Sequence, residues 1–233
     1  MSNLFKAVSE AGGDMAKVDA SAFPVLNMLN TRYFIFPLQG GKTMPIQNPY
    51  TLGNAWFVDK VQYVNNANEE IESLHKVMPA KVAVVDKKFA EQVKPVVVSD
   101  SLRFVKLVAY EPNDLKYEVS SEKGGVVVFS EIYYPGWQAY IDGVEAPHGR
   151  ADYILRAMNV PAGKHTVEFK FDPKSLHTTE TIAFVALGLL AMAVLLLLVF
   201  TGKSSLGKEG DKEWAGGNLS KGVAELTLFW KAL

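Results

Sequence analysis

Nineteen consecutive residues, 182–200 (IAFVALGLLAMAVLLLLVF), carry no charge and no proline. An α-helix rises about 1.5 Å per residue, and about twenty apolar residues of helix span the hydrocarbon core of a bilayer. Leu, Ala and Met favour a helix, and Gly188 is tolerated in a helix surrounded by lipid. A soluble domain of this size rarely surrounds a helix on every side, so a run that is apolar all round points to lipid. The pattern predicts a transmembrane helix over 181–201, a tail over 202–233 and a folded head in front, which makes membrane lipid the first expected partner.

The head's composition narrows its function classes. The 233 residues have a formal net charge of −1, and the basic residues form no stripe, so nucleic acid is not expected as a partner. The chain has no cysteine, which excludes disulfides, thiolate metal sites and Cys nucleophiles. The opening MSNLFKAVSEAGGDMAKVD has no basic stretch followed by an apolar one, so it does not read as a signal peptide. Two arrangements stay open. The chain is either tail-anchored with a cytoplasmic head, or the C-terminal portion of a longer multi-pass protein whose earlier helices export the head. Lys203, Lys208 and Lys212 after the apolar run, against Lys170 and Lys174 before it, tilt toward a cytoplasmic tail.

Along the head, residues 1–20 are polar and read as loosely ordered. Residues 21–95 read as a small α+β unit. It contains a helix over 21–30 capped by Ser21, strands at 33–36, 54–58, 61–64 and 82–85, and a helix over 68–76 with Asn68 as N-cap. Residues 96–173 carry strand-like runs at 105–110, 115–121, 126–133, 137–142, 153–160 and 165–171, separated by Pro, Gly, Asn and Asp. That spacing predicts an antiparallel β-sandwich, jelly-roll-like. Residues 126–129 are apolar on both faces and read as a central strand, and Asp142-Gly143 reads as a hairpin turn. The expected fold class is therefore α+β, mainly β, with one C-terminal transmembrane helix.

Enzyme motifs are absent from the sequence. Gly41-Lys42-Thr43 resembles the end of a phosphate-binding loop, but the glycine required five positions earlier is Phe36. His75, His148, His165 and His177 lack metal-ligand spacing and read as surface residues, so no metal or cofactor is expected. Glu131, Asp142, Glu145 and Asp152 cluster in sequence, but glycoside chemistry needs two carboxylates facing each other across a cleft. No catalytic residue is assigned. The densest chemistry is aromatic: Tyr133, Tyr134, Trp137, Tyr140 and Tyr153, near Arg150 and Arg156. Tyr and Trp combine an apolar body with a polar handle, which suits stacking on sugar rings. Trp137, Ala139 and Ile141 share one face of a strand and read as core, together with Phe169. Tyr140 points the other way. Tyr140, Tyr153 and Arg150 are thus the candidate glycan-binding residues.

The stretch SEIYYPGWQAYIDGVEAPHGRADYILRAMNVPAGKHTVEFKFDP (130–173), followed by an apolar helix, resembles the C-terminal end of YfhO-type bacterial membrane proteins. Upstream, VLNMLNTRYFIF, NPYTLGNAWFV and VAVVDKKF are similar to blocks of the same region, so the resemblance covers about residues 20–200. It implies a multi-pass, glycosyltransferase-like parent in the bacterial plasma membrane, associated with glycosylating cell-envelope polymers. It also implies an extracytoplasmic head, with a glycan or lipid-linked sugar and the remaining transmembrane part of the parent as partners. The family's acidic catalytic residue lies in an early loop that has no counterpart here. The expected role is accessory, binding or positioning a glycan acceptor. The alternative is a purely structural head that packs on the other helices and binds no ligand.

Overall fold

The computed structural model describes residues 6–8, 10–12, 14–37, 39–95 and 102–205. Residues 6–174 belong to one compact unit and the apolar helix to a second. Thirteen strands dominate the first unit among the described residues. They are β1 (Tyr33–Pro37), β2 (Thr43–Gln47), β3 (Ala55–Val58), β4 (Lys60–Val64), β5 (Val82–Asp86), β6 (Phe104–Glu111), β7 (Asp114–Ser121), β8 (Gly125–Ile132), β9 (Trp137–Ile141), β10 (Val144–Ala146), β11 (Gly149–Ala151), β12 (Leu155–Val160) and β13 (Gly163–Phe171).

Two antiparallel sheets form the sandwich. One has the order β10-β9-β13-β7-β6, the other β11-β12-β8-β3. Between them Tyr117, Phe129 and Phe169 meet edge to face, with ring centroids 4.8 to 6.3 Å apart, and Val119, Val127, Met158 and Val167 fill the rest. The alternation of β7 explains this choice: Leu115, Tyr117 and Val119 are buried, and the residues between them are less so.

The four-stranded sheet is covered on its other face too. Val58, Val126, Val128, Leu155 and Ala157 pack there against Val61, Val64, Leu74 and 83–85. Strand β8 therefore separates two cores, with Val127 and Phe129 in one and Val126 and Val128 in the other. This is the physical reason that residues 126–129 are apolar on both faces, and β8 is central, with β12 and β3 on either side. The second layer is a parallel β4–β5 pair with a short helix, α2 (Ala67–Ser73). Strand β3 joins the sheet of β8 and β4 joins β5, so a single residue, Asp59, separates strands that belong to different layers.

Local departures from the sequence expectations have simple causes. Asn66, not Asn68, caps α2: its side chain accepts the Glu69 N–H, and the helix ends at Ser73. Ser21 is not a cap; Asp19 accepts the Ser21 N–H in a separate 3-10 turn, and α1 (Pro24–Met28) starts with Pro24 and no side-chain cap. Residues 6–20, read as loosely ordered, contribute Val8, Met15 and Val18 to a small third core with Phe23 and Phe34. Asp142 and Gly143 both have positive φ, at 50° and 82°, as the expected hairpin turn requires.

The second unit contains α3 (Lys174–Ser205). Helix begins at Lys174, so the polar residues before Ile182 are helical rather than a linker. Thr179 and Thr181 satisfy their hydroxyls on carbonyls one turn back. Residues Ser175–Phe200 contain an 18-residue window with a mean hydropathy of 3.1 and are long and apolar enough to cross a membrane. Lys208 and Lys212 lie outside the described residues.

Candidate functional site

The sequence-selected residues fall in two places. Tyr140 sits on β9, on the face of the five-stranded sheet opposite Ala139, which is buried in the core. Its hydroxyl donates to Gln138 Oε1 at 2.6 Å, and Lys170 Nζ lies 5.4 Å from its ring centroid. The same face carries Glu168 between Lys116 and Lys170, at 3.2 and 3.1 Å. Hydrogen bonds from the two lysines hold the Glu168 carboxyl below its ordinary range. It is a polar, mixed-charge surface around the Tyr140 ring.

Arg150 and Tyr153 lie on the other sheet, on β11 and in the turn to β12, and the structure brings these two together. The Arg150 guanidinium pairs with Glu70 at 2.5 Å and lies 3.9 Å from Asp86. It also lies against the rings of Phe89 and Tyr153, at 5.6 and 5.5 Å. Glu70 has no exposed surface. Its second oxygen accepts the Tyr153 N–H at 2.9 Å, and burial raises its pKa against the pull of Tyr153 and Arg150. In sequence Glu70 stands out only as an acidic residue near the start of the helix expected over 68–76. A carboxylate on the inward face of α2, four residues before Leu74, was the signal available.

Asp152 completes this cluster. It is fully buried at a φ of 50°. Its N–H donates to Val84 O at 2.7 Å and its Oδ1 accepts the Val84 N–H at 2.8 Å, so it pairs with β5 as a strand residue would. Burial pushes its carboxyl up to about 8, and Oδ2 has no protein partner. Three acidic side chains and one arginine thus tie α2 and β5 to β11. Such a network fixes geometry, since a buried charge is tolerated only with its partner in place.

Arg156 opposes Arg150 in register but serves the aromatic core. Its guanidinium lies 4.0 Å from the Trp137 ring centroid and 5.0 Å from that of Phe169, and its Nε donates to Ile132 O. Trp137 was expected to be buried alongside Phe169. Phe169 is fully buried, but Trp137 is half-buried, because it sits on the last rung of the sheet, against the Phe171 ring and under Arg156. His148, expected on the surface, packs edge-on to Phe169 at 5.6 Å, and burial with the nearby Arg156 pushes its pKa down to about 4. His165 pairs with Asp142 at 2.6 Å. Among the described residues no group of three or more His, Asp and Glu could hold a metal ion.

Residues 91–183 match the family model described as bacterial membrane protein YfhO. No curated protein and no solved structure matches the chain. The match takes in strands β6 to β13, both arginine clusters' β-strand members, and the start of the apolar helix. The matched segment runs from the sandwich into a membrane-capable helix, so this part of the chain is similar to the YfhO family of bacterial membrane proteins.

Proposed function

We propose that the head is an extracytoplasmic accessory domain of a YfhO-like membrane protein, tethered at the bilayer by α3, that binds or positions a glycan acceptor during cell-envelope glycosylation. The observation that carries the membrane part is the step from β13, across Asp172 and Pro173, to a helix whose residues Ser175–Phe200 are long and apolar enough to cross a membrane. The glycan part rests on aromatic rings held among polar groups. Of the three sequence-selected contacts, Tyr140 stays on a polar outer face, and Tyr153 keeps 37% of its surface in solvent. Arg150 is engaged by buried Glu70, which favours a positioning role for it. That engagement also supports the second reading, a structural head without ligand.

The chain reconstituted in lipid nanodiscs and mixed with purified bacterial wall polysaccharide tests the glycan reading. Retention of polymer above that of empty discs is the expected result, and no retention at saturating polymer leaves the structural head. Orientation is read separately. The chain lacks cysteine, so Glu145→Cys gives one label site on the head; its reaction with a membrane-impermeant maleimide in intact cells is expected, and protection until lysis would place the head in the cytoplasm.

A further inference from the structure

A second region of the head has the chemistry of a ligand site. A cleft of about 450 Å³ lies beside the β1–β2 hairpin, lined by Asn30, Arg32, Tyr33, Gln47, Thr51 and their neighbours. That volume is within the range of small-molecule sites, about 300–1,000 Å³. Its wall is polar rather than apolar, which selects against a hydrocarbon ligand and for one rich in hydroxyls.

The cleft is held open by side chains whose own bonding is complete. Asn48 is buried; its Nδ2 donates to Asn27 Oδ1 at 3.0 Å and to Thr31 O at 2.9 Å, and its Oδ1 accepts the Tyr50 N–H at 3.0 Å. One amide thus joins the 27–31 segment to the 48–50 segment. Gly53, at a φ of 80°, continues the second wall in a conformation that favours glycine.

The remaining groups are free for a ligand. Asn30, at a φ of 53°, donates its Nδ2 to Asn54 Oδ1 at 2.8 Å, while its own Oδ1 has no protein partner. A buried acceptor without a partner is rare in folded proteins and calls for a donor from outside the chain. Tyr33 is 59% exposed and stands opposite Gln47 in the hairpin register, so a ring and an amide share one rung at the lip. Arg32 is exposed, and its guanidinium has no ion-pair partner among the described residues.

We infer that this cleft binds a saccharide unit bearing an anionic substituent. The Tyr33 ring offers a stacking face for the C–H side of a pyranose, the Asn30 carbonyl accepts from a sugar hydroxyl, and Gln47 both donates and accepts. Arg32 supplies a planar fork of donors that matches a phosphate or carboxylate. The inference rests on the glycan reading above and gives it a location apart from Tyr140.

The test uses the full chain in nanodiscs, titrated with glucose and N-acetylglucosamine disaccharides, each with and without a phosphate group. Binding is read by ligand-observed NMR, and backbone hydrogen exchange is followed over 30–33 and 47–53. Tyr33→Ala is expected to weaken every binding probe at least fivefold, and Arg32→Ala only the phosphorylated ones. Tyr110→Ala, at a tyrosine 65% exposed and outside the cleft, leaves affinity unchanged, and the two segments gain protection with ligand. Both cleft side chains are exposed, so thermal midpoints stay at the wild-type value. If a variant does lose stability, protection in the wild-type chain alone decides. Binding that is insensitive to Tyr33→Ala and Arg32→Ala, with no protection of the two segments, overturns the cleft. Should polysaccharide still be retained, and Tyr140→Ala reduce it, the glycan reading survives without this site. No binding of any disaccharide also overturns the cleft, and the polysaccharide assay then decides the broader reading independently.

Discussion

One face of the four-stranded sheet buries Phe129 against Tyr117 and Phe169; the other buries valines, with a polar network at the edge formed by Glu70, Asp86, Arg150 and Asp152. The two sides share strands β8 and β12 yet are held by different forces. The aromatic side is stabilised by area removed from water and by edge-to-face geometry. On the second side aliphatic packing is supplemented by a network in which each buried charge depends on its neighbour. Arg150 and Arg156 make the contrast concrete. They oppose each other across β11 and β12, but one answers a buried carboxylate and the other lies on a tryptophan ring.

The contrast can be broken by mutation. Phe169→Ala should cost about 4 kcal/mol, the scale of a buried aromatic truncation, measured by denaturant unfolding of the chain in detergent. A loss under about 1 kcal/mol would show that the aromatic side is not a packed core. Arg150→Met should cost about 3 kcal/mol because it leaves Glu70 buried without its cation, and adding Glu70→Gln should recover most of the loss. A cycle with no such recovery would mean that the pair does not act as a unit.

The two sides also respond to pH in opposite directions. Asp152 has a folded pKa of about 8 against an ordinary value of 3.8, so the folded state binds the extra proton between those values. Stability from this group is complete at low pH and declines as pH rises toward 8. His148 has a folded pKa of about 4 against 6.5, so the unfolded state binds the extra proton between them, and stability declines as pH falls from about 6.5 to 4. Asp152→Asn should flatten the alkaline decline and His148→Phe the acidic one, in thermal midpoints taken from pH 4 to 9. Exchange of those two effects between the variants would refute the assignment. The smallest expected mutational cost is at the rim and outer face. Trp137→Ala should cost about 1–2 kcal/mol, since only part of its surface is removed from water, and Tyr140→Ala no more than about 0.5 kcal/mol. Equal losses for Trp137→Ala and Phe169→Ala would erase the distinction between rim and core.

Much of the strand pattern was legible because it depends on local alternation and turn chemistry. Asp142-Gly143 and the two-faced apolar run at 126–129 led directly to a hairpin and a central strand. The candidate glycan residues were less legible. Sequence proximity grouped Tyr140 with Arg150 and Tyr153, but the chain crosses from one sheet to the other between β10 and β11, so that grouping does not survive in space. The cleft at Asn30 and Tyr33 drew no attention in sequence, because amides in loops have no periodicity and its walls meet only in the folded chain, through Asn48 and Asn54.

The sequence by itself determined the apolar helix, the mainly β character of the head and the resemblance that the matched segment bears out, because helix length, hydropathy and alternation are properties of neighbours along the chain. Only the tertiary structure decided that β3 completes the sheet of β8, that Glu70 meets Arg150 eighty positions away, and that Asp152 pairs with Val84. Those choices depend on which side chains share a desolvated space, and a buried charge finds its partner by proximity in three dimensions, which spacing in one dimension does not encode.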